Sequence, residues 1–413
     1  MHGLKRTKGL LCGGIMFAFL AAIMAVPQEA SAVPAFARQT GMACTACHFQ
    51  HYPAINAFGR AFKQEGFTMK GAQSMVEGEY LSIPVALNAS LVTKVRYQKT
   101  NGGTSGTDFG ELQFPDEAAL LIGGRGGEHV GFLLEFATFG EADTTTGEFS
   151  LFGSYKTHFN WKVNDFNLGA VLFSTDAGGA SYGFELLNTG AQRFQRVAED
   201  RTASSAQQFV GLGAGPAEGI AVVASHPLGY VNYSLWVPEH GTTAVNGFSH
   251  YLRAAATPQI LGWDTGFGVQ WFGGESSFQD RGHIDTEGWA VDAQAQGMVL
   301  GRPLGVYLAY AQARPTPTNV FNAGRPDDRK AFSALAEVGV IPNMLTVFTG
   351  YVDGDTGAAT KSEDNRLLVG TTFMIAQNVE LQLSNTFFFG DRYDPKPASG
   401  GDNLFTAMLF AAF

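Results

Sequence analysis

The chain has 413 residues, of which 45% are hydrophobic and 15% charged, and its formal net charge is −10 at pH 7. This acidic balance argues against a nucleic-acid partner. Length alone would predict two or three domains, but the content of 52 Gly and 34 Phe residues in so apolar a chain points towards a membrane protein.

The first 32 residues have the pattern of a secretory signal peptide. Basic residues lie within positions 5–8, an apolar run covers 9–26, and residues 30–32 (Ala-Ser-Ala) match a small-residue cleavage site. A membrane anchor is the alternative, but the small residues favour cleavage, so we expect a mature chain that begins at Val33. Cys12 follows the bulky Leu11, which disfavours a lipoprotein site, and is expected to be removed. The rest of the chain is therefore expected in an oxidising compartment.

The next feature is the motif Cys44-Thr45-Ala46-Cys47-His48. Two cysteines three apart and an immediate histidine are typical of c-type haem attachment, in which both thiols form thioethers and the imidazole binds the iron. A redox-active cysteine pair and half of a zinc site are the alternatives. No cysteine follows Cys47 to complete a zinc site, and a thioredoxin-like βαβ context is absent. The motif therefore predicts one covalent haem c held by Cys44, Cys47 and His48.

Residues 33–80 are predicted to form this small haem segment. Pro53 suits the first position of a helix, Ile55, Phe58 and Phe62 follow at helical spacing, and Gly66 is a plausible end. A segment of this length cannot bury a macrocycle and also its own core. We therefore expect the remainder of the chain to cover the haem.

From about residue 81 the hydrophobic period changes from 3.6 to 2. Trp289, Val291 and Ala293 alternate with Asp292 and Gln294, and similar alternation recurs along the chain. After the signal peptide there is no apolar run of about 18 residues, which a membrane helix would need. The alternation recurs in an apolar chain that lacks such runs. It therefore predicts a mainly β fold, namely a transmembrane antiparallel β-barrel over residues 81–413.

The connections between these strands alternate between short and long. Short turns are predicted near 124–128, 162–165, 215–219, 258–262, 300–304, 341–343 and 375–378. Longer polar loops are predicted near 100–110, 141–147, 177–206, 238–246, 274–286, 314–330, 353–364 and 390–402. This asymmetry is typical of outer-membrane barrels and predicts about 16 strands. Residues 220–237 are ambiguous, because Pro227 allows one bulged strand or two short ones.

The last stretch alternates up to a terminal phenylalanine, Phe413, like the final strand of outer-membrane barrels. Since lipid does not tolerate an unpaired strand edge, this strand should pair with the first, predicted near residues 81–97. The barrel is accordingly expected to be closed, with the helical haem segment plugging its lumen.

The combination resembles the fused monohaem cytochrome–porins, outer-membrane iron oxidases of iron-oxidising bacteria. The resemblance lies in residues 36–42 (FARQTGM) leading into the cysteine motif, then 49–53 (FQHYP), 56–63 (NAFGRAFK) and 67–69 (FTM); over the barrel it is architectural. It implies an oxidoreductase with haem in the lumen, which takes an electron from extracellular Fe(II) and passes it to a periplasmic carrier, a cytochrome or copper protein. A haem between both membrane faces would suit that role, since the hydrocarbon layer is about 30 Å thick.

The iron needs a ligand opposite His48. His51 follows too closely to reach the other side, and Met69 and Met75 follow the predicted helix. Because methionine raises the haem potential, Met69 is the predicted second iron ligand. Met75, His129, His158 and an open position are the alternatives.

Charged residues outside the motif suggest secondary roles. Acidic residues in the predicted loops could attract Fe(II), or could be ordinary solvated surface: Asp108, Asp143, Asp353, Asp355, Asp391 and Asp394. Residues expected to face the lumen could contact haem propionates: Lys94, Arg96, Lys156 and His158.

Two classes of function follow from the sequence. One is electron transfer at the haem, with Fe(II) as the expected donor. The other is a porin for small solutes, in which the N-terminal segment is a plug and the cysteine motif has no catalytic role. No nucleotide-binding loop, nucleophile elbow or zinc-protease signature occurs, so hydrolytic chemistry has no support.

Overall fold

The computed structural model describes residues 34–413 except 80, 104–109, 143–148, 176–178, 182–183, 189–196, 200, 214, 240, 242–244 and 279–281. The predicted signal peptide and the predicted start at Val33 lie outside the described residues. So do the loop residues Asp108 and Asp143.

The described residues form a closed antiparallel barrel of 16 strands. The last strand pairs with the first, with Leu404 opposite Thr100 and Ala412 opposite Val92. The predicted fold class, strand number and closure are therefore confirmed. Closure leaves no unpaired backbone edge, as a barrel facing lipid requires.

The strands are β1 Ala89–Thr100, β2 Glu111–Arg125, β3 Val130–Ala142, β4 Phe149–Val163, β5 Phe166–Thr175, β6 Ala217–His226, β7 Gly229–Pro238, β8 Ser249–Ala256 (continued by Gln259–Ile260), β9 Trp263–Gly273, β10 Gly288–Val299, β11 Arg302–Ala313, β12 Arg329–Ile341, β13 Leu345–Asp355, β14 Asn365–Ala376, β15 Val379–Phe389 and β16 Asn403–Ala412.

The strands form because their side chains alternate between two environments. In β10, Trp289 and Val291 are each 41% exposed on the outer face, whereas Asp292 and Gln294 are buried on the inner face. Apolar residues outside and polar residues inside invert the pattern of a water-soluble sandwich and match a barrel with lipid around it. Aromatic side chains lie on the outer face near both rims, among them Trp161, Phe166, Trp271, Phe387 and Phe405.

Short and long connections lie at opposite ends of the barrel. The short-turn end has the connections 126–129, 164–165, 227–228, 257–262, 300–301, 342–344 and 377–378, and the long-loop end has the others. The prediction of a short turn at 215–219 was wrong, because β6 already begins at Ala217 and pairs with β7. The turn is at Pro227-Leu228, where a residue without a backbone N–H ends the ladder. The ambiguous stretch is thus two strands.

The N-terminal part, residues 34–88, enters the barrel from the short-turn end and is called the plug. It contains helix α1 Ala35–Thr40, a 3₁₀ turn Cys44–Ala46, helix α2 Ala57–Gln64 and a hairpin of Met75–Gly78 with Leu81–Pro84. Helix α2 begins later than Pro53 and Ile55 predicted, because the Asn56 side chain accepts a hydrogen bond from the Gly59 amide and caps it. The first barrel strand likewise begins at Ala89, since residues 81–84 belong to the hairpin. No described helix is long and apolar enough to cross a membrane.

A second segment fills the lumen from the long-loop end. It comprises the described residues between 184 and 213, in the connection between β5 and β6, and is called the inward segment; it includes helix α3 Ala206–Val210. Its apolar side chains, such as Leu186, Leu187 and Phe209, are buried against inward residues of the barrel wall. The inside of the barrel therefore contains a packed hydrophobic core.

Candidate cofactor site

The cysteine motif is folded into a tight turn. The Cys47 and His48 amides both donate to the Cys44 carbonyl, at 3.1 and 2.9 Å, and the Asn56 amide donates to the Cys47 carbonyl at 2.9 Å. A β-carbon on Gly59 would lie 2.3 Å from that Cys47 carbonyl oxygen. Glycine at this position therefore lets helix α2 pack directly against the turn.

The His48 ring is oriented by a backbone carbonyl. Its Nδ1 lies 3.1 Å from the Ala54 carbonyl oxygen, and because a carbonyl can only accept, Nδ1 carries the hydrogen. Burial lowers the pKa of His48 to about 4, against the raising effect of the Ala54 hydrogen bond. The ring is thus neutral at pH 7, with the Nε2 lone pair available to a metal. A second-shell carbonyl on the other nitrogen is usual for histidine ligands.

Both cysteines and His48 line one cavity between the plug and the barrel wall. The cavity has about 1800 Å³ of empty space, counting the part open to solvent. Its walls are mainly apolar and aromatic: Phe36, Phe62, Phe67, Leu121, Leu133 and Phe410. Burial raises the pKa of both cysteine thiols, so they are protonated at pH 7.

This cavity lies at the short-turn end of the lumen. The Cys44 amide donates to the Gln377 side chain in the β14–β15 turn at 3.2 Å. The Asn343 amide, in the β12–β13 turn, donates to Gln50 at 3.3 Å. The motif therefore lies near one rim of the barrel, whereas the sequence argument expected a cofactor midway between the two faces. Hydrogen bonds to these two turns hold the motif at that rim.

Buried ion pairs dock the plug in the barrel. Arg60 makes a bidentate contact with Asp264 on β9, at 3.0 and 2.6 Å. His51 lies with its Nε2 2.9 Å from a carboxylate oxygen of Glu337 on β12. Burial lowers the pKa of His51, but the hydrogen bond and charge of Glu337 outweigh it and raise the value to about 9. His51 is thus a docking residue of the plug, which the sequence did not reveal.

The structure places the candidate axial ligands in different surroundings. Among the described residues that line the cavity there are two methionines, Met42 and Met374, while Met69 and Met75 are not among them. The backbone carbonyl of Met69 accepts a hydrogen bond from Gln39 at 2.8 Å. Met69 as iron ligand stays a prediction. Met374 could not have been found from the sequence, because only barrel closure brings it to the motif.

The two candidate histidines also lie apart from the motif. His129 is exposed in a short turn, with its Nδ1 3.0 Å from the Asn160 carbonyl oxygen. His158 is buried in the wall with its ring centroid 5.1 Å from that of Phe67.

The lumen-facing cations are buried as predicted. Lys94 contacts the carboxylates of Glu117 and Glu199, each at 2.8 Å, and so ties the wall to the inward segment. Arg96 contacts Asp116 at 2.9 Å. These two cations therefore have carboxylate partners already. Lys156 lines the cavity that contains the cysteine motif.

The acidic loop residues form no metal site in the part of the chain that is described. There, no group of three or more His, Cys, Asp or Glu side chains is arranged to hold an ion. Asp355 accepts a hydrogen bond from the Gly357 amide, and Asp391 accepts one from the Glu363 amide of the preceding long loop. Attraction of Fe(II) by these loops stays a prediction.

Similarity to known proteins supports the barrel fold. No protein-family model matches the chain, and no curated protein matches it. Among solved structures, a mutant of Rh. blastica porin is similar at 11% identity with a TM-score of 0.50, covering 79% of this chain and 100% of that one. OmpT of Vibrio cholerae with loop L8 deleted is 10% identical, with a TM-score of 0.47 and 79% and 99% covered. OprB of Pseudomonas putida is 10% identical, with a TM-score of 0.48 and 79% and 94% covered. The porin likeness shows the barrel fold and leaves the predicted haem untested.

Proposed function

We propose that this chain is an outer-membrane oxidoreductase that carries one covalent haem c, oxidises extracellular Fe(II) and passes the electron to a periplasmic carrier. The observation that carries the proposal is the convergence of Cys44, Cys47 and a neutral, carbonyl-oriented His48 on one apolar cavity. That combination suits c-type haem attachment.

The residues present fit the group. Cys44 and Cys47 would hold the macrocycle through thioethers, and His48 would bind the iron through Nε2, the nitrogen left with a lone pair. When bound, the haem would supply an iron that gains and loses one electron. The aromatic walls would exclude water, and the Ala54 carbonyl would keep the imidazole in the binding tautomer.

The outer face supports placement in an outer membrane. Apolar side chains project from the middle of the strands, for example Val222 at 56% exposure and Val269 at 49%, and aromatic residues flank them near both rims. In outer-membrane barrels the short turns face the periplasm. The cavity would then open towards a periplasmic carrier, and Fe(II) would approach from the long-loop end.

The alternative is a channel for small solutes. The porin likeness supports this function at the level of fold more directly than it supports electron transfer. The packed inward segment argues against an open pore. The two functions make different demands: electron transfer needs a cofactor, and solute transport needs a continuous aqueous path.

The test is haem staining of the purified, full-length protein exported by a host with cytochrome c maturation. We expect one covalent haem per chain that is reduced promptly on mixing with Fe(II), and we expect Cys44→Ser with Cys47→Ser to abolish the stain. His129→Gln, at an exposed turn, is the matched control for His48→Gln. A folded, colourless wild-type barrel that conducts ions would overturn the proposal in favour of the channel.

A further inference from the structure

The long-loop end of the barrel contains four arginines that are called the arginine cluster: Arg325, Arg329, Arg366 and Arg392. The first two lie shortly before β12 and at its first position. Arg366 is the second residue of β14, and Arg392 lies in the connection between β15 and β16. Three long connections at the same end of the barrel thus supply the cluster.

The strand pattern directs two of these arginines into the mouth of the lumen. On β12, Arg329 is two residues before the buried Ala331, so both side chains point inward. On β14, Arg366 is likewise two residues before the buried Leu368. Lys330, which follows Arg329, points outward and is exposed. The cluster therefore faces the inside of the barrel rather than the surrounding lipid.

An aromatic ring and a carboxylate link the members of the cluster. The guanidinium carbons of Arg329 and Arg366 lie 5.6 and 5.3 Å from the centroid of the Phe209 ring, which belongs to helix α3 of the inward segment. Asp364 accepts two hydrogen bonds from Arg366, both at 3.2 Å, and one from Arg392 at 3.1 Å. Three of the four guanidinium groups thus form one continuous arrangement.

The cluster has more positive charge than its acidic partner can balance. Asp364 is buried and is shared by Arg366 and Arg392. In the part of the chain that the structure describes, neither Arg325 nor Arg329 has a carboxylate oxygen within 4.0 Å. The charges that act most strongly on Arg329 are those of the three other arginines and of this one carboxylate.

The acidic residue next to Arg329 in the sequence does not change this balance. Asp328 accepts a hydrogen bond from the Gln312 side chain at 2.5 Å. Gln312 lies between the buried Ala311 and Ala313 on β11 and therefore points outward. Asp328 is thus held towards the outer side of the wall. Like charges gathered inside a barrel are costly unless an anion lies among them.

Arg329 also has hydrogen-bonding groups that the described residues leave unused. Its Nη1 donates to the Phe321 carbonyl at 3.5 Å. Its Nε is buried and has no hydrogen-bond partner among the described residues, and its Nη2 has none there either. Nε and Nη2 form an edge of the guanidinium that can donate to two oxygens of one oxyanion. The cluster therefore offers both charge and a donor edge.

We propose that the arginine cluster binds a small tetrahedral oxyanion, of the phosphate or sulfate type, at the mouth of the lumen. Such an anion suits the cluster better than chloride, because it carries more charge and several acceptor oxygens for guanidinium groups. The inward direction of Arg329 and Arg366 favours a dissolved anion over the phosphate groups of lipopolysaccharide. The proposal does not depend on the haem, since the cysteine motif lies at the opposite end of the barrel.

The proposal is tested by isothermal titration calorimetry, with inorganic phosphate added to the full-length protein in detergent at low ionic strength, where screening is weak. We expect one phosphate per chain and a roughly tenfold weaker affinity in Arg329→Gln, because a charge-assisted pair is lost. Arg325→Gln, in an exposed loop, should weaken binding by about threefold. Arg329→Lys keeps the charge without the planar fork and should bind with intermediate affinity.

Lys330→Gln is the matched control, because it removes an adjacent positive charge that points outward; it should bind phosphate like the wild type. A wild-type chain that binds no phosphate overturns the proposal, and so does an equal loss of affinity in Lys330→Gln and Arg329→Gln. Binding of lipopolysaccharide without binding of inorganic phosphate would also overturn it. Should Arg329→Gln fail to fold, unchanged affinity in Arg325→Gln would overturn the proposal instead.

Discussion

Gly59 shows how closely the plug is built around the cysteine turn. A β-carbon there would lie 2.3 Å from the Cys47 carbonyl oxygen, which is backbone and cannot simply rotate away. We expect Gly59→Ala to force helix α2 off the turn at a cost of about 1–3 kcal/mol, and so to lower the covalent haem per chain. Haem staining per folded barrel measures this. Gly103→Ala, where no atom lies within 4 Å, is the control, and an equal loss there would contradict the argument.

The methionines provide a second test at residue scale. Since Met42 and Met374 line the cavity and Met69 and Met75 do not, we expect the methionine–iron charge-transfer band to survive Met69→Ala and Met75→Ala. We expect the band to disappear in one of the two variants Met42→Ala and Met374→Ala. Absorption spectra of the four oxidised variants decide the matter. Loss of the band in Met69→Ala would instead support the prediction made from the sequence.

The His51–Glu337 pair predicts a pH dependence of plug docking. The pKa of His51 in the folded protein, about 9, is above its ordinary 6.5. The pair therefore makes its full contribution to the stability of plug docking below pH 6.5, and this contribution is lost as the pH rises through 9. The shift corresponds to roughly 3 kcal/mol at most.

Protease cleavage of the plug, in wild type and His51→Gln, measures this contribution. We expect the variant to be cleaved much faster at pH 6.5, and the difference to shrink above pH 9. His129→Gln should behave as wild type. A difference between wild type and His51→Gln that does not change with pH would refute the ion pair.

At the scale of elements, the sequence predicted those parts that depend on local pattern. Alternation placed Trp289 and Val291 outside and Asp292 inside, because period 2 fixes the two faces of any strand. It misplaced the start of β1, because the alternating pattern at residues 81–84 is shared by a hairpin of the plug. It also missed that the described residues between 184 and 213 fold inward, since the position of their apolar side chains is set by contacts with distant strands. The lining of the cavity, and Met374 in particular, could not be predicted, because it depends on closure of the barrel and not on local sequence.

An outward-facing residue midway along a strand tests whether the barrel wall faces lipid. Val222 on β6 is 56% exposed and lies between residues of β5 and β7. In a bilayer, we expect Val222→Arg to destabilise the barrel by about 2–4 kcal/mol, as at a membrane midplane. Leu300→Arg, in a turn where the side chain is 98% exposed, should cost close to nothing. Urea unfolding in lipid vesicles compares them, and equal costs would argue that β6 does not face lipid.

At the scale of the whole molecule, two segments meet inside one cylinder. The Asn188 side chain of the inward segment donates to the Ile55 carbonyl of the plug at 2.8 Å and accepts from its amide at 3.0 Å. The Asn188 amide also donates to Gln294 of the wall at 2.7 Å. The Glu199 amide donates to Gln382 on β15 at 2.8 Å. The inward segment is thus fixed to β10, to β15 and to the plug.

This arrangement predicts two seals in series. Removing the plug alone leaves the lumen blocked by the inward segment, whose side chains form a core with the wall, and removing the inward segment alone leaves the plug. We therefore expect wild type and either single deletion (residues 34–88, or 184–213 replaced by a short Gly-Ser linker) to conduct ions weakly in planar bilayers, and the double deletion to conduct strongly.

Deletion of the 275–285 hairpin, at the long-loop end, is the control and should change the conductance little. Heat-modifiable mobility in gels confirms that each barrel is folded. A wild-type conductance as large as that of the double deletion would mean that the lumen is open, and the channel function would then account for the molecule better than electron transfer.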